Sequence, residues 1–436
     1  MILRGEMIRY AFQFDSLNLG ARSHYISDYN PSSTYNFFLV SSDYKMEINA
    51  KKIVVGVCAM NRKTMTKPMV SILESIKKNY GTRLDIIHLS DNTILFHHIE
   101  EWPVVDALIT FYSTGYPIDK VIKYIEKHQP YLINDLEKQL KIMNRDCVLS
   151  VLNSVGINHP EYGIVRRNDN GDLLNHFEEY EDYIVIDGKT FLKPFVEKPI
   201  SGEDHNINIY YHSSQGSGCR MLFRKKNNMS SLFSTSSNVR RDKSYIYEKF
   251  IVTSNIDVKC YAVGEEYCYA ESRKAPALDG MIDRDHNGKE KREEVVLTND
   301  EMKMAAKIVK VFKHTVCGFD ILRDTEKSYV CDVNGFSFVK NVPKYYETAG
   351  KIIGEKICRH FISNNNKGND KESYESNENF TLFDDWQSKP LDKNKFINQQ
   401  MEENCHDSVK EEFNRNQRTY NDIMELTKIK VLQSQF

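Results

Sequence analysis

The sequence lacks several features that point to particular classes of protein. Its 436 residues carry a formal net charge of −2, so no overall field favours nucleic acid or an acidic membrane surface. Arg4, Glu6 and Arg9 interrupt any apolar run at the N-terminus, so neither a signal peptide nor a transmembrane span is predicted. The nine cysteines show no CxxC spacing, which predicts reduced thiols and a cytosolic location, with the nucleus as an alternative.

Three common catalytic signatures are missing as well. No stretch matches the P-loop pattern GxxxxGK[ST]. No Ser-His-Asp arrangement stands out, and Arg359–His360 is followed by Phe361, so the phosphohistidine pattern RHGxRx is also lacking. What is present is an ordinary composition, with 40% hydrophobic and 28% charged residues and enough chain for two or three domains.

Strand and helix patterns alternate in the first part of the chain. Residues 52–58 (KIVVGVC) predict a buried strand, and the alternation continues to residues 131–133, which favours a parallel α/β sheet. From about residue 158 short strand patterns follow one another, which favours an α+β domain. We therefore predict an N-terminal extension (1–50), a small parallel α/β domain (51–143), an α+β domain (144–363) and a polar, disordered tail (364–436).

The stretch SYVCDVNGFSFVK, residues 328–340, contains candidate metal ligands. Its first part predicts a strand, and because side chains two apart on a strand share a face, Asp332 and Asn334 point the same way. A preceding strand, residues 316–322 (VCGFDIL), would bring Asp320 near Asp332 in a hairpin. Carboxylate and amide oxygens suit Mg²⁺, so this hairpin predicts a metal site. The alternative is a surface hairpin with solvated acids.

Other stretches suit a nucleotide and a second anion. Lys198 ends a predicted strand and suits phosphates as a point charge, and the glycine-bearing loop 215–218 offers backbone N–H groups. Residues 246–251 (IYEKFI) are typical of an adenine contact, and Asp257 follows as a candidate for the ribose hydroxyls. Cations recur at Arg62, Lys63, Arg224, Lys225, Lys259, Arg273 and Lys340. Since one ATP needs fewer, we predict a second, heavily anionic substrate.

Long strings of the sequence resemble one family. FVEKPISGEDHN, SYIYEKF, RKAPALDG, TVCGFDIL and SYVCDVNGFSFVKN are similar to the ATP-grasp kinase domain of the diphosphoinositol pentakisphosphate kinases. The resemblance covers residues 52–361. It implies an ATP-grasp kinase domain preceded by a small parallel α/β domain. It also implies transfer of the ATP γ-phosphoryl group to a phosphate, at position 1, of inositol hexakisphosphate or 5-diphosphoinositol pentakisphosphate.

The resemblance also implies roles for individual residues. ATP would be bound by Arg145, Lys198, His205, Arg224, Glu248, Lys249, Phe250, Ile251, Asp257, Val258, Lys259, Asp320, Asp332, Val333 and Asn334. Magnesium would be held by Asp320, Asp332 and Asn334. The inositol phosphate would face Arg62, Lys63, Arg224, Lys225, Lys259, Arg273, Ser337, Phe338, Val339 and Lys340. Arg224, Lys259 and Asp332 would act in the chemical step.

Some features depart from the family, and two alternatives remain. Ala275 stands where relatives carry serine, and the 215–218 loop has fewer glycines than theirs. The family commonly continues into a phosphatase-like domain, whereas this chain is expected to be kinase only.

An ATP-grasp carboxylate–amine ligase would share the fold and metal ligands but need fewer cations. A non-catalytic inositol phosphate sensor would be expected to have lost a metal ligand. We expect a monomer that binds no nucleic acid.

Overall fold

A computed structural model of the protein describes residues 51–366. Its first part contains a parallel four-stranded sheet of order β2-β1-β3-β4, as predicted. The elements are β1 (Ile53–Cys58), α1 (Asn61–Thr64), α2 (Lys67–Tyr80), β2 (Leu84–His88), α3 (Asp91–Phe96), β3 (Ala107–Thr110), α4 (Ile118–His128), β4 (Tyr131–Leu132) and α5 (Leu136–Ile142). Residues at the carboxyl end of β1 are fully buried, as the apolar run KIVVGVC requires of a central parallel strand.

The next part of the chain forms two antiparallel sheets. The larger has six strands in the order β12-β11-β10-β9-β13-β5, and the smaller has the order β6-β7-β8. The elements are α6 (Arg145–Ser154), β5 (Tyr162–Val165), β6 (Phe177–Glu179), β7 (Tyr183–Ile186), β8 (Lys189–Leu192), β9 (Phe195–Pro199), β10 (Ile207–Tyr210), β11 (Cys219–Lys226), β12 (Met229–Ser234) and β13 (Tyr245–Lys249). The predicted α+β character of this region is confirmed.

A third antiparallel sheet, with five strands in the order β16-β15-β14-β17-β18, follows. The elements are β14 (Ile256–Val263), β15 (Tyr267–Lys274), β16 (Glu293–Glu294), α7 (Asn299–Phe312), β17 (Val316–Arg323), β18 (Ser328–Asn334) and α8 (Pro343–Asn366). Alternate residues of β14 and β17, among them Val258 and Phe319, are buried in a core with the apolar face of α7. The intervening residues therefore share the opposite face, because side chains alternate along a strand.

A buried glutamate fixes the hairpin of β17 and β18 to α7. Glu301 accepts two hydrogen bonds from Arg323, at 2.7 and 2.8 Å, and one from the Ser328 hydroxyl at 2.7 Å. The same carboxylate accepts from the Thr298 backbone N–H, which completes a capping box at the start of α7. Since Arg323 ends β17 and Ser328 begins β18, one carboxylate holds the whole turn in place.

The domain boundary predicted near residue 144 stays a prediction. The sequence predicts a loop over residues 59–67, but this stretch contains the short helix α1. It also predicts a helix over residues 344–361, and α8 extends beyond that to Asn366. The predictions for residues 1–50, and for the tail beyond residue 366, lie outside the residues that the structure describes.

A buried histidine lies just before β17. His314 is fully buried, and its Nε2 donates a hydrogen bond to the Asp135 carbonyl at 3.0 Å. Its Nδ1 has no hydrogen-bond partner within residues 51–366. Burial lowers the pKa of His314 from 6.5 to about 4, because a proton on Nδ1 would place an unsolvated charge in the core.

We expect His314 to make the protein less stable at acid pH. Between pH 6.5 and 4 the unfolded chain binds a proton at this side chain that the folded chain does not, so stability falls as the pH falls. At pH 5 the loss relative to neutral pH is about 2 kcal/mol. Urea unfolding at both pH values should show His314→Gln losing about that much pH dependence. The exposed His286→Gln serves as the control, and an unchanged pH profile for His314→Gln would contradict the assignment.

Candidate active site

A cavity of about 390 Å³ is lined by residues from both the six-stranded and the five-stranded sheet. Apolar side chains from the six-stranded sheet, including Val196 and Ile209, contribute to its wall together with Phe250 and Leu322. Most of the residues predicted from the sequence line it: Arg145, Lys198, His205, Arg224, Lys225, Glu248, Lys249, Phe250, Ile251, Asp257, Lys259, Arg273, Asp320, Asp332 and Asn334. The structure thus brings the predicted nucleotide, metal and cationic residues together in one place.

A buried ion pair lies in the wall of the cavity. Lys198 Nζ is 2.7 Å from Glu248 Oε2, and the two side chains are only 8% and 3% exposed. Burial alone would lower the pKa of Lys198, but the Glu248 carboxylate outweighs it, and the net shift is upward. The same ammonium group donates to the Cys331 carbonyl at 3.0 Å. Lys198 is therefore a fixed positive charge that links β9 and β13 to β18.

The carbonyl of Cys331 is available because the hairpin of β17 and β18 contains a bulge. Asp320 pairs with Asp332, yet its neighbour Ile321 pairs with Val330, so Cys331 has no counterpart in the register. A bulge re-aims side chains and frees backbone groups, and such irregularities are common beside functional sites. Cys331, Asp332 and Asn334 all line the cavity.

The two hairpin carboxylates lie opposite one another across neighbouring strands, as predicted. Lys259 pairs with Asp320 on the other side, and its Nζ is 3.1 and 3.4 Å from the two carboxylate oxygens. Burial would raise the pKa of Asp320, but Lys259 and Arg273 outweigh it, so the pKa is lowered. Asp320 is thus ionised at neutral pH, and its hairpin carries the oxygen donors that suit a hard cation.

Within residues 51–366 no group of three or more His, Cys, Asp or Glu side chains is arranged for a metal ion. The predicted ligand set contains two carboxylates and one amide, so its chemistry resembles a magnesium site that is completed by phosphates and water.

An ion pair of a carboxylate and a guanidinium group joins β14 to β15. Asp257 and Arg273 are register partners, and Arg273 Nη2 is 3.7 Å from Asp257 Oδ2. Burial raises the pKa of Asp257 to about 6, although Arg273 opposes the shift. Burial also lowers the pKa of the nearby His205, and the charges of Arg224 and Arg145 add to that effect. At neutral pH the cavity therefore presents Asp257 as an anion and His205 as a neutral ring.

Arg145 has a mainly structural set of contacts. Its guanidinium group donates to the carbonyls of Pro199, Ser201 and Asp204 at 2.8, 2.6 and 3.1 Å. It therefore shapes the turn after β9, and it also lines the cavity.

Some predicted residues do not line the cavity. Val258 and Val333 are buried in the core on the opposite face of the sheet, so their side chains cannot contact a ligand there. Arg62 lies in α1 and donates to the Thr114 carbonyl, while Lys63 is exposed. The segment after β18 also lies outside the lining, namely Ser337, Phe338, Val339 and Lys340.

This segment packs on the carboxyl end of β3. Phe336 and Phe338 contact Phe111, with ring centroids 4.5 and 5.8 Å apart. Val339 is fully buried, whereas Lys340 is exposed. The segment is thus held by its aromatic residues beside the parallel sheet. The carboxyl end of β1 in that sheet leads into α1.

The glycine-bearing loop lies between β10 and β11 and does not line the cavity. Residues 215–218 lie at the start of β11, where Ser213 bonds Asp182, and none of them lines the cavity. The opposite end of β11 lines the cavity through Phe223, Arg224 and Lys225. The loop between β15 and β16 carries no site residue that the sequence predicted. It contributes Met281, Asp283 and Glu290 to the lining.

Comparison with known proteins agrees with this geometry. Residues 53–144 match a family model for the diphosphoinositol pentakisphosphate kinase 2 N-terminal domain. Residues 207–360 match a model for the RimK-like ATP-grasp domain. Together with these matches, the six-stranded and five-stranded antiparallel sheets and the cavity lined by both define an ATP-grasp protein.

Longer matches identify the family. The chain is 48% identical over 325 residues to an inositol hexakisphosphate and diphosphoinositol-pentakisphosphate kinase of Caenorhabditis elegans, covering 74% of this chain and 25% of the relative. The corresponding kinase 2 of Mus musculus is 47% identical over 309 residues, covering 71% and 27%. The ATP-grasp region of this chain belongs to the diphosphoinositol pentakisphosphate kinase family, which confirms the resemblance. The chain spans about a quarter of the length of these relatives.

More distant structures share only general features. D-alanine–D-alanine ligase from Bacillus anthracis aligns over 72% of this chain and 100% of its own, with 14% identity and a TM-score of 0.44. In the described part of the chain, no helix is long and apolar enough to cross a membrane.

Proposed function

We propose that this protein transfers the γ-phosphoryl group of ATP to a phosphate group of inositol hexakisphosphate or 5-diphosphoinositol pentakisphosphate, at position 1. The observation that carries the proposal is the charge distribution of the cavity. Lys225, Lys259 and Arg273 lie in one cavity with the paired carboxylates Asp320 and Asp332. Such a site suits two anionic reactants whose mutual repulsion must be offset by cations.

ATP would lie between the six-stranded and the five-stranded antiparallel sheets. The apolar wall with Val196 and Ile209 suits the adenine, next to the backbone of Glu248 to Ile251. Asp257 would accept from the ribose hydroxyls, and Lys198 would bind the α- and β-phosphates. Because Lys198 is already held by Glu248 and the Cys331 carbonyl, its charge is positioned before ATP binds.

Magnesium would be held by Asp320, Asp332 and Asn334. It would supply charge neutralisation to the phosphates, as metal ions do in phosphoryl transfer. Lys259 is the counter-ion of Asp320 in the protein alone. Its ammonium group is therefore already located where the negative charge of the reactants would gather.

The chemistry requires positioning rather than a base. An acceptor phosphate oxygen attacks the γ-phosphorus, the bond from that phosphorus to the β–γ bridging oxygen breaks, and ADP leaves. Because the acceptor oxygen is already ionised at neutral pH, no side chain needs to remove a proton. Lys259 and Arg224 would stabilise charge on the moving phosphoryl group, and Arg273 and Lys225 would hold the acceptor. A cytosolic location and a monomeric state also remain predictions.

Anion-exchange separation of products tests this proposal. The protein is incubated with ATP, Mg²⁺ and either inositol phosphate, and we expect a more highly charged inositol product together with ADP. Release of ADP driven by a carboxylic acid and an amine, with neither inositol phosphate converted, would favour a ligase. Tight binding of inositol hexakisphosphate without conversion would favour a sensor.

Cations of the acceptor site should affect the acceptor more than ATP. Arg273→Ala removes a side chain beside Asp257 and should weaken inositol hexakisphosphate binding by about 1.5–3 kcal/mol. Lys63→Ala, on the exposed helix α1, should have a smaller effect in the same direction. Titration calorimetry with each ligand measures both, and the exposed Lys123→Ala is the control. Equal losses for ATP and the inositol phosphate would show that these side chains are misassigned.

A further inference from the structure

A carboxylate outside the predicted ligand sets lies among the cations of the cavity. Glu290 precedes β16 and lines the cavity. One of its oxygens accepts a hydrogen bond from Lys225, and the other is 2.8 Å from Arg292 Nη2. Burial would raise the pKa of Glu290, but Lys225 and Arg292 outweigh it and keep the group ionised.

The two cations are held differently. Arg292 also forms an ion pair with the buried Glu271 and donates to the Tyr261 hydroxyl at 3.3 Å, so it stays anchored without Glu290. Lys225 has no other ion-pair partner in the part of the chain that the structure describes. Glu290 therefore determines where the Lys225 ammonium group lies.

A third cation contributes to the same cluster. Burial would lower the pKa of Arg273 and Arg292 adds to that effect, but the charges of Asp320, Asp257 and Glu290 outweigh both, so the pKa is raised. The buried Arg273 Nε has no hydrogen-bond partner within residues 51–366. A carboxylate surrounded by lysine and arginine donors occupies the same chemical environment as a phosphate group would, since both present anionic oxygens to these donors.

This arrangement has opposite consequences with and without a ligand. In the protein alone, Glu290 offsets the repulsion between neighbouring cations. When an acceptor phosphate arrives, its oxygens compete for Lys225, and the carboxylate then repels the acceptor. Coulomb interactions at such short range outside bulk water are strong enough to alter affinity.

We propose that Glu290 is a positioning residue that holds Lys225 in place of an acceptor phosphate and is displaced from it when the acceptor binds. It thereby limits the affinity for acceptor and product and assists product release. The inference rests on the proposed function, because it takes the acceptor to be a highly phosphorylated inositol. A purely structural role would have the opposite signature, since loss of a structural contact weakens binding.

The test compares two charge-neutralising variants four residues apart. Glu290→Gln should bind inositol hexakisphosphate on the order of tenfold more tightly than the unaltered protein, measured by titration calorimetry without ATP. The matched control is Glu294→Gln, because Glu294 is exposed in β16 and does not line the cavity. Its affinity should stay unchanged. In turnover assays, Glu290→Gln should lower KM for the acceptor without raising kcat.

Two further measurements separate charge from structure. Glu290→Asp keeps the charge and should keep an affinity close to that of the unaltered protein. The tightening in Glu290→Gln should shrink at high salt, because screening weakens the repulsion that has been removed. Thermal unfolding of each variant establishes that it is folded. If Glu290→Gln fails to fold, Glu290→Asp serves as the test because it keeps the charge. Weaker binding of inositol hexakisphosphate by that variant would overturn the proposal.

The outcomes also distinguish this inference from the proposed function. Unchanged or weaker binding by folded Glu290→Gln, or equal tightening in Glu294→Gln, would overturn the role of Glu290 alone. Binding without phosphorylation by the unaltered protein would overturn the proposed kinase activity while leaving the role of Glu290 measurable. If the unaltered protein bound no inositol hexakisphosphate, both would be wrong.

Discussion

Replacing Asp332 by Asn should lower turnover by about a hundredfold or more, because electrostatic stabilisation is usually the largest contribution to such catalysis. The substitution keeps the size of the side chain and removes one negative charge opposite Asp320. The fold should survive, since the turn of this hairpin is held by Glu301 through Arg323 and Ser328. Binding of the inositol phosphate without ATP should persist or tighten, because a repelling carboxylate has been removed.

The matched control lies at the other end of the same hairpin. Asp324 is partly exposed and accepts from the backbone N–H groups of Glu326 and Lys327 in the turn. Asp324→Asn removes the same charge from the same hairpin, far along the strands from Asp332. Turnover should stay within about twofold of normal because Asp324 does not line the cavity. Initial rates at saturating ATP and acceptor measure both variants. Normal turnover by Asp332→Asn would refute the metal assignment.

The sheet and its site were largely predictable wherever side chains alternate along a strand. Asp257 and Lys259 are two residues apart on β14, and a period of two places them on one face. The same rule relates Asp332 to Asn334. Register partners across the hairpin, Asp320 and Asp332, followed from the short turn between the two strands. These predictions needed only local geometry.

The remainder depended on contacts between residues far apart in the sequence. The glycine-bearing loop was expected to cover a nucleotide because glycine frees backbone N–H groups, yet its position is fixed by Asp182, which binds Ser213. Likewise, nothing in the polar sequence of residues 275–292 indicates that Glu290 meets Lys225, 65 residues earlier. The bulge at Cys331 is also invisible in the sequence, because a bulge is defined by the partner strand.

The aromatic run after β18 shows a different limit. In the motif GFSFVK, Ser337 and Lys340 were predicted to face an anion. The structure shows that Phe336 and Phe338 hold the segment against Phe111. Phe111 and Phe336 are more than 200 residues apart in the sequence. Sequence periodicity describes one element at a time and cannot identify such packing partners.

Lys198→Met should destabilise the protein and weaken ATP binding at the same time. Removing one partner of a buried ion pair leaves the other charge uncompensated, which typically costs about 3–5 kcal/mol. Glu248 is 3% exposed, so it has no access to water that would reduce this cost. Loss of a charge-assisted contact to phosphate should weaken ATP binding by about 1.5–3 kcal/mol, or roughly 10- to 100-fold.

A double variant separates the two effects. Lys198→Met combined with Glu248→Leu replaces both charges by apolar groups, a change that is often neutral or stabilising in other buried pairs. We therefore expect it to recover most of the free energy of unfolding but none of the ATP affinity. The control is Lys351→Met, which breaks an exposed pair with Glu347 of nearly the same length, 2.8 Å, and should cost less than about 0.5 kcal/mol. Recovery of ATP binding in the double variant would show that Lys198 contributes through stability alone and does not contact the phosphates.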